Sequence, residues 1–215
     1  MKTPDDYSIN MAYSYSDSKD LSTYYNDSAK GYDEFVNSVG YVLPKLVAKQ
    51  AFKYLRMSDL IVDIGCGTGL LGVEMNSIQD DLTIHGIDLS WEMIVAAHEK
   101  KKPNGQMYYE KLYRADLGEK HGLPEIKYSF MVSSGTFTTG HLNGKHLLNI
   151  FELMNKNSFA VFSVKSDHFE ESNFIDDLKN FRQQGLIELL EIHEVDSYIN
   201  NNYTAMSKIV SLKVN

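Results

Sequence analysis

One stretch of the chain decides its fold: Leu60-Ile61-Val62-Asp63-Ile64-Gly65-Cys66-Gly67-Thr68-Gly69. It joins a short apolar run to glycines at every second position. An apolar run that ends in glycines is typical of a strand buried on both faces of a parallel sheet. The glycines let the backbone turn sharply against a ligand. A helix beginning near Thr68 would point its free N–H groups into the same space. The stretch therefore predicts a ligand site directly after a strand.

Strands and helices alternate along the rest of the chain. We predict strands at 60–64, 83–87, 107–113, 127–133, 159–164, 186–195 and 203–213. We predict helices at 42–56, 68–77, 91–101 and 173–184, and one around 147–154. Repeated strand–helix units predict a doubly wound α/β fold, a mostly parallel sheet with helices on both faces. The last two strands have no helix between them, which predicts a hairpin and an antiparallel strand at one edge.

Composition and charge limit the classes of partner. The 215 residues are 43% hydrophobic and carry a formal charge of −8, which argues against a nucleic-acid backbone as the partner. No apolar run approaches the roughly 18 residues that cross a membrane. Cys66 is the single cysteine, so an internal disulfide is impossible. The first thirty residues are polar and without a clear period, and we expect them to be partly mobile. With no signal-peptide core, we expect a cytoplasmic protein.

The acid before the glycines distinguishes between possible ligands. In a dinucleotide site the third glycine would fall at Leu70, and the carboxylate of Asp63 would repel a pyrophosphate. The same carboxylate suits an ammonium group, which S-adenosylmethionine supplies. We therefore predict an S-adenosylmethionine site; the alternatives are a nicotinamide site or a glycine turn without a ligand. The loop residues expected to bind the cofactor are Asp63, Gly65, Cys66, Gly67, Thr68 and Gly69.

Two further acids follow the next strands. Asp88 lies about 20 residues past the glycine loop, where an acid can hold both ribose hydroxyls. Its alternative role is to cap the following helix, which Ser90 can do alone. Leu89 and Met93 are expected near the cofactor, although Met93 is as readily a core residue. After the third strand, Asp116 and the Leu117 amide are expected to bind adenine.

This ordered set of residues resembles the class I S-adenosylmethionine-dependent methyltransferases. It consists of Asp63-x-Gly65-x-Gly67-x-Gly69, then Asp88, then Asp116, and the resemblance covers residues 58–165. It implies a Rossmann-like seven-stranded sheet with an antiparallel last strand, and S-adenosylhomocysteine as the product. We therefore expect residues 58–215 to form a methyltransferase domain, and residues 1–57 a helical arm or lid that packs on it as one compact unit.

A narrower resemblance involves three segments. The longest, Ser134-Gly135-Thr136-Phe137-Thr138-Thr139-Gly140-His141-Leu142, looks like the motif of methyltransferases similar to the Williams–Beuren syndrome region protein. The others are Tyr24-Tyr25 with Gly31-Tyr32-Asp33, and Gln184-Gly185-Leu186. The usual turn before the fifth strand is replaced by Asn155-Lys156-Asn157-Ser158, which can still turn. The resemblance does not name a substrate.

The acceptor side of the site is less specific. Ser133 is expected beside the cofactor and Ser134 beside the acceptor, because both end the fourth strand. His141 is either a general base or a residue that orders its loop. His168 is a weaker candidate for substrate binding. Early tyrosines could close over the cofactor, with Tyr24 and Tyr32 touching it and Tyr25 touching the acceptor, or could simply pack on the core; they are Tyr13, Tyr15, Tyr24, Tyr25 and Tyr32.

The histidines have no metal-ligand spacing, so we expect no metal. The sequence favours methyl transfer to a small-molecule acceptor, without nucleic-acid or membrane partners. The alternatives are a non-catalytic S-adenosylmethionine-binding module and a protein methyltransferase. The acceptor and the oligomeric state stay open.

Overall fold

The computed structural model describes residues 18–199 and 203–215. Its helices in chain order are α1 (Ser18–Ser38), α2 (Leu43–Ala51), α3 (Leu70–Ile78), α4 (Trp91–Glu99), α5 (Leu147–Phe151), α6 (Ser166–Glu171) and α7 (Phe174–Gln183). Its strands are β1 (Leu60–Ile64), β2 (Thr83–Asp88), β3 (Lys111–Arg114), β4 (Tyr128–Phe137), β5 (Met154–Lys165), β6 (Ile187–Asp196) and β7 (Met206–Val214). A short 3₁₀ helix, Gly144–His146, precedes α5.

The strands form one seven-stranded sheet in the order β3-β2-β1-β4-β5-β7-β6. β1 to β5 pair in parallel, while β7 pairs antiparallel with both β5 and β6. This confirms the predicted mostly parallel sheet, the closing hairpin and the antiparallel last strand. The predicted position of the reversed strand is wrong. β7 lies inside the sheet because it inserts between β5 and β6, so the edge strand β6 runs in the same direction as β5.

Each face of the sheet buries its own apolar cluster, as the period of two along a strand requires. Ile61 faces one cluster, together with residues of α2 and α3, and the adjacent Val62 faces the other, together with residues of α5, α6 and α7. Both side chains are fully buried. Complete burial of such a side chain stabilises a fold by about 1.5–3 kcal/mol. Helices on both faces are therefore confirmed.

The N-terminal arm is helical in its described part. Residues 18–38 form one helix, α1, whose bounds were not predicted. Phe35, Val36 and Val39 pack at its end, but further toward the N-terminus the contacts are polar. Asn26 accepts a hydrogen bond from the Ser90 hydroxyl at 2.7 Å. Hydroxyl, amide and carboxylate groups thus make several of the tertiary contacts of α1.

Several strands and one helix have other boundaries than predicted. The predicted strand at 107–113 begins only at Lys111, and the predicted helix at 42–56 is α-helical only for Leu43–Ala51. β4 continues beyond 133 to Phe137, because its polar end pairs with β5 at Val164. The turn expected at 155–158 lies within β5, where the pairing with β4 is irregular. Helix α6 was not predicted.

Among the described helices, none combines the length and the apolar composition that a membrane span requires.

Candidate active site

A pocket of about 430 Å³ opens at the carboxyl ends of β1, β2 and β4. β1 lies between β2 and β4, so the chain connections leave it in opposite directions at this point. Open α/β sheets bind their ligands at such a switch point. The pocket is lined by most of the residues expected to bind the cofactor, namely Asp63, Gly65, Cys66, Gly67, Thr68, Asp88, Leu89, Met93, Asp116 and Leu117.

The glycine loop turns through a conformation that requires its first glycine. Gly65 has φ +66°, and a Cβ atom there would lie 2.2 Å from the Thr136 Oγ1. Its N–H donates to the Ile87 carbonyl at 2.8 Å, which ties the loop to β2. Gly69, also at positive φ, is the N-cap of α3 and is not among the pocket-lining residues. Any larger residue at position 65 would displace Thr136 and distort the pocket floor.

Asp63 is buried below the loop and is held by a residue that the sequence did not suggest. Its Oδ2 accepts a 2.6 Å hydrogen bond from the Tyr109 hydroxyl, which in turn accepts from the Gly72 N–H. Its Oδ1 is buried without a partner among the described residues. Burial raises the pKa of Asp63 to about 7, against the lowering effect of the Tyr109 bond. An unpaired carboxylate oxygen in a pocket fits a bound ammonium group, which would pair with it.

Tyr109 was missed because no spacing in the sequence links it to Asp63. The two residues are 46 positions apart, and the contact forms only when the segment before β3 folds beneath the loop. The tyrosine ring is buried, and a Cβ atom on Gly72 would lie 2.5 Å from its Cζ atom. A glycine at position 72 therefore makes room for the residue that orients the acid.

Asp88 accepts backbone hydrogen bonds with both oxygens. The Gly67 N–H donates to Oδ2 at 2.8 Å and the Ser90 N–H to Oδ1 at 2.9 Å. Burial raises the pKa of Asp88, and these amides oppose the rise. The helix cap is Ser90 itself, whose hydroxyl accepts from the Met93 N–H. Ser90 therefore provides the helix cap that was the alternative role of Asp88. Each carboxylate oxygen of Asp88 can still accept a hydrogen bond from a ligand hydroxyl.

The segment after β3 brings a third acid to the pocket wall. Asp116 Oδ1 accepts from the Gly118 N–H at 2.9 Å and from the Glu119 N–H at 3.2 Å. These bonds hold the turn that presents Leu117 to the pocket. His146, from the 3₁₀ helix, also lines this wall. It was missed because only the folded loop brings it close to Asp116.

The two serines at the end of β4 behave differently. Ser134 lines the pocket, and its Oγ is buried with no hydrogen-bond partner in the described part of the chain. Ser133 is fully buried and donates to the Ile64 carbonyl at 2.7 Å. The expectation that Ser133 contacts the cofactor is therefore not supported by the structure. Alternation along the strand places the side chains of Ser133 and Ser134 on opposite faces of the sheet, and only Ser134 lines the pocket.

His141 lies at the pocket wall in contact with Tyr25. Its Nδ1 is 3.1 Å from the Thr139 carbonyl, and its Nε2 is 2.9 Å from the Tyr25 hydroxyl. Because a carbonyl can only accept, Nδ1 carries the hydrogen and Nε2 accepts from Tyr25. Burial lowers the pKa of His141, which keeps the imidazole neutral near pH 7. The Nδ1 bond orders the loop, and the general-base role of Nε2 stays a prediction.

The tyrosine candidates line two neighbouring cavities. Tyr25 and Tyr32 line the pocket, together with Tyr41, which the sequence did not single out. They also line a second cavity of about 70 Å³, here called the side cavity; its walls comprise Tyr24, Tyr25, Tyr32, Phe35, Val36, Tyr41, Leu43, Gly135, Thr138, Ser163, Lys165, Ser197, Tyr198, Ala205 and Ser207. Tyr24 lines only the side cavity, so its expected cofactor contact is not seen. Tyr13 and Tyr15 lie outside the described residues.

His168 lines neither cavity. Its Nε2–H donates to the Leu142 carbonyl at 3.1 Å, and the side chain is buried beside Phe174. The expectation of substrate binding is corrected: the imidazole ties α6 to the loop that carries His141. In residues 18–199 and 203–215, no group of three or more acids, histidines or cysteines could hold a metal ion.

Comparisons with known proteins agree with this geometry. Residues 61–157, just under half of the chain, match the family described as a methyltransferase domain. The chain is 24% identical over 142 residues to a malonyl-[acyl-carrier protein] O-methyltransferase of Bacillus anthracis, covering 65% of this chain and 50% of the relative. It is 26% identical over 167 residues to a carboxy-S-adenosyl-L-methionine synthase of Campylobacter curvus, covering 71% and 70%. The chain thus spans half the length of the first relative.

Among solved structures, the magnesium protoporphyrin IX methyltransferase of Synechocystis with bound S-adenosylhomocysteine superposes with a TM-score of 0.63. It is 14% identical and the match covers 92% of this chain and 99% of that one, so the likeness concerns the fold. Residues 61–157 therefore match a methyltransferase domain, and the chain has the Rossmann-like fold of such proteins. The cofactor of this class is S-adenosylmethionine, and the unpaired Asp63 oxygen and the acids of the pocket fit it.

Proposed function

We propose that the protein transfers a methyl group from S-adenosylmethionine to a small-molecule acceptor. The observation that carries the proposal is the convergence of Asp63, Asp88 and Asp116 in one pocket behind the glycine loop. In this arrangement Asp63 accepts from an ammonium, Asp88 from the ribose hydroxyls and Asp116 from an adenine amine. Bound there, S-adenosylmethionine supplies an activated methyl group on a cationic sulfur.

Each acid has a distinct task in this proposal. Asp63 pairs its free Oδ1 with the ammonium while Tyr109 holds Oδ2. Asp88 receives the ribose hydroxyls while the Gly67 and Ser90 amides fix its orientation. Asp116 accepts from adenine beside Leu117. The Tyr109 hydroxyl holds Asp63 and backbone amides hold Asp88 and Asp116 before the ligand arrives, so little ordering entropy is lost on binding.

The pocket charge supports a cationic ligand. Its described lining contains four carboxylates, those of Asp63, Asp88, Asp116 and Glu119, and neither lysine nor arginine. A phosphate-bearing dinucleotide would find no counter-ion among these residues. The overall charge of −8 and this acidic wall also disfavour a nucleic acid as the acceptor.

We assign proton removal from the acceptor to the contact between His141 and Tyr25. The neutral His141 Nε2 accepts from the hydroxyl of Tyr25, a residue that lines both the pocket and the side cavity. A proton leaving an acceptor hydroxyl could pass to Nε2 directly, if Tyr25 moves aside, or through the tyrosine hydroxyl. General bases of this kind contribute about 10²–10⁴-fold to a rate.

α1 is proposed to act as a lid over the pocket. It contributes Tyr25 and Tyr32 to the wall, and Asp33 accepts a 2.6 Å hydrogen bond from the Thr68 hydroxyl of the glycine loop. Lys100 joins this contact through an ion pair with Asp33 at 2.6 Å. Few of these contacts are apolar, so the helix can leave at a moderate cost and admit ligands.

The finer assignments follow from the sequence. The likeness of 134–142 to the Williams–Beuren-type methyltransferases supports a place in that narrower family. The single cysteine supports a reducing, cytoplasmic location. Residues 1–57 would then form the arm and 58–215 the catalytic domain.

A labelled-methyl assay tests the proposal. Purified protein with methyl-labelled S-adenosylmethionine is incubated with the small-molecule, protein and RNA fractions of a lysate, and S-adenosylhomocysteine is measured in parallel. We expect label in the small-molecule fraction. Label in protein instead would identify a protein methyltransferase. Cofactor binding by calorimetry without turnover on any fraction would identify a non-catalytic binding module. The Campylobacter relative is named a carboxy-S-adenosyl-L-methionine synthase. Mass spectrometry of the cofactor therefore tests whether this protein carboxylates the cofactor instead of transferring its methyl group.

A further inference from the structure

The short 3₁₀ helix Gly144–His146 brings a histidine to the wall that the segment after β3 forms. His146 lines the pocket together with Asp116 and Gly118. A Cβ atom built on Gly118 would lie 3.2 Å from the Asp116 Oδ1 and 3.9 Å from the His146 Nε2. The two polar side chains therefore flank one glycine, and the imidazole lies beside the acid to which the proposed function assigns the adenine amine.

The partner of Nδ1 determines which ring nitrogen of His146 carries the hydrogen. The Asn143 N–H donates to Nδ1 at 3.0 Å. A nitrogen that accepts this bond carries no hydrogen, so in the neutral imidazole the hydrogen is on Nε2. Burial and, to a smaller extent, Lys145 lower the pKa of His146 against the effect of three nearby carboxylates. Near pH 7 the ring is therefore neutral, with Nε2–H as its donor.

This Nε2–H is open to a ligand. In the described part of the chain it has no hydrogen-bond partner, since the one bond of the His146 ring is made by Nδ1. Nε2 is also not among the polar atoms that the fold seals from solvent. A donor at a pocket wall with no protein acceptor can serve a ligand atom that has a lone pair.

The neighbouring groups leave a defined pattern beside this donor. Asp116 Oδ1 is occupied by backbone amides, and Asn149 Nδ2 donates to the Leu117 and Gly118 carbonyls at 2.9 and 3.1 Å. Among the described residues, three groups on this wall are left without a hydrogen-bond partner: Asp116 Oδ2, the Leu117 N–H and the His146 Nε2–H. The wall therefore offers one acceptor and two donors.

Adenine carries the complementary pattern. Its exocyclic amine is a donor, and the ring nitrogens N1 and N7 on either side of that amine are acceptors. We infer that His146 reads the adenine ring: its Nε2–H donates to one of these two nitrogens and the Leu117 N–H to the other, while Asp116 accepts from the amine. This inference rests on the proposed function and assigns it a further specificity-determining residue.

Two variants separate this contact from a purely structural role of His146. In His146→Asn, the side-chain oxygen takes the place of Nδ1 and still accepts from the Asn143 N–H, but no donor reaches the place of Nε2. In His146→Gln, the amide NH₂ reaches the place of Nε2, but the acceptor for Asn143 is lost. A structural role predicts damage in His146→Gln, and the adenine contact predicts a change in His146→Asn.

The probes are S-adenosylhomocysteine and its 1-deaza and 7-deaza analogues, in which a C–H group replaces N1 or N7. Each is titrated calorimetrically into the full-length protein. We expect both analogues to bind the wild type about tenfold more weakly than S-adenosylhomocysteine, because each leaves one donor unpaired. In His146→Asn, one analogue should bind within about twofold of S-adenosylhomocysteine, while the other keeps its loss. His146→Gln should keep both losses.

His121→Asn is the matched control. His121 belongs to the same loop, but its side chain is exposed and does not line the pocket, so both losses should persist. Equal binding of the three ligands by the wild type would overturn the inference, as would losses that persist for both analogues in His146→Asn. So would the disappearance of both losses in His146→Asn, or of either in His146→Gln, since any substitution would then merely disorder the wall. If the wild type does not bind S-adenosylhomocysteine, the proposed function fails as well; normal binding without discrimination refutes the role of His146 alone.

Discussion

The cofactor pocket and the side cavity share a wall and differ in almost everything else. The pocket is lined by loops that follow strands and by four carboxylates, each of which lies within five residues of the end of β1, β2 or β3. The side cavity is lined by rings from α1, from the segment before α2 and from the segment after β6, with Lys165 as its charged group. One region is built from local motifs that sequence analysis can read. The other exists only because distant segments meet.

This difference also separates two kinds of chemistry. In the pocket, short backbone hydrogen bonds fix the acids before a ligand binds. In the side cavity, most of the wall consists of side chains, and they come from segments far apart in the chain. We therefore expect cofactor binding to respond strongly to single changes in the pocket.

The largest effect should come from Asp88→Ala. Loss of two charged hydrogen bonds to the ribose hydroxyls costs about 2–4 kcal/mol, or about 30- to 1000-fold in affinity for S-adenosylmethionine. Calorimetry measures it directly. Asp196→Ala removes an exposed acid of β6 and should leave the affinity unchanged. If the Asp88 variant binds as the wild type does, the proposed role of the pocket acids is wrong.

His141→Gln should act at the junction of the two regions. Without the basic Nε2, we expect kcat to fall about 100-fold with the acceptor identified by the labelled-methyl assay, while the cofactor Kd changes less than about twofold. The control is His98→Gln, which alters an exposed histidine of α4 that lines neither cavity. If kcat is unchanged in the His141 variant, His141 is not the general base and only orders its loop.

The affinity of the wild type for S-adenosylmethionine should depend on pH through Asp63. Burial, and to a smaller extent the nearby Asp88, raise the pKa of Asp63 to about 7, opposed by Tyr109. The ammonium pairs with the ionised carboxylate, so affinity is full above pH 7 and is lost as pH falls through 7. Between pH 8 and pH 6 the ionised fraction falls about tenfold, and Kd should rise equally. Asp63→Asn should bind more weakly, with a flat profile over this range.

Tyr109→Phe tests the residue that only the folded chain revealed. Removal of the hydroxyl donor should raise the pKa of Asp63 by about one unit, because a hydrogen bond to a charged group is worth about 1.5 kcal/mol. The midpoint of the pH profile then moves upward, and affinity at pH 7 falls about fivefold. Tyr128→Phe is the matched control, since it removes a buried hydroxyl that contacts His85 away from the pocket. A general loss of affinity without a shifted midpoint would mean that Tyr109 is merely structural.

The smallest effect is expected at the lid. Asn26→Ala removes the acceptor of the 2.7 Å bond from Ser90 and should cost about 0.5–1.5 kcal/mol locally. Hydrogen exchange should show faster opening of α1, with cofactor affinity reduced less than in the pocket variants. Asp27→Ala, at the exposed neighbouring position, should exchange as the wild type does. Slow exchange of α1 in both variants would show that the apolar contacts of Phe35 and Val36 hold the helix alone.

The sequence predicted the pocket better than the lid for a physical reason. Asp63, Gly65, Gly67 and Asp88 lie at strand ends, and parallel strands bring their carboxyl ends to one edge whatever surrounds them. Ser133 was misjudged because it lies one residue before Ser134, and a shift of one position along a strand reverses the side-chain direction. His168 and Tyr24 were misjudged because their positions depend on how loops and helices pack.

By itself, therefore, the sequence determined the alternation of strands and helices, the glycine turn and the order of the acids around one cofactor. Periodicity and local turn chemistry encode these features within a few residues. Only the tertiary structure decided that β7 enters the sheet beside β5, that Tyr109 orients Asp63, and that rings from α1 and from the loop after β6 enclose a cavity with Lys165. Those contacts join residues far apart in the chain, and no local pattern specifies which of many packings buries the most surface with its polar groups paired.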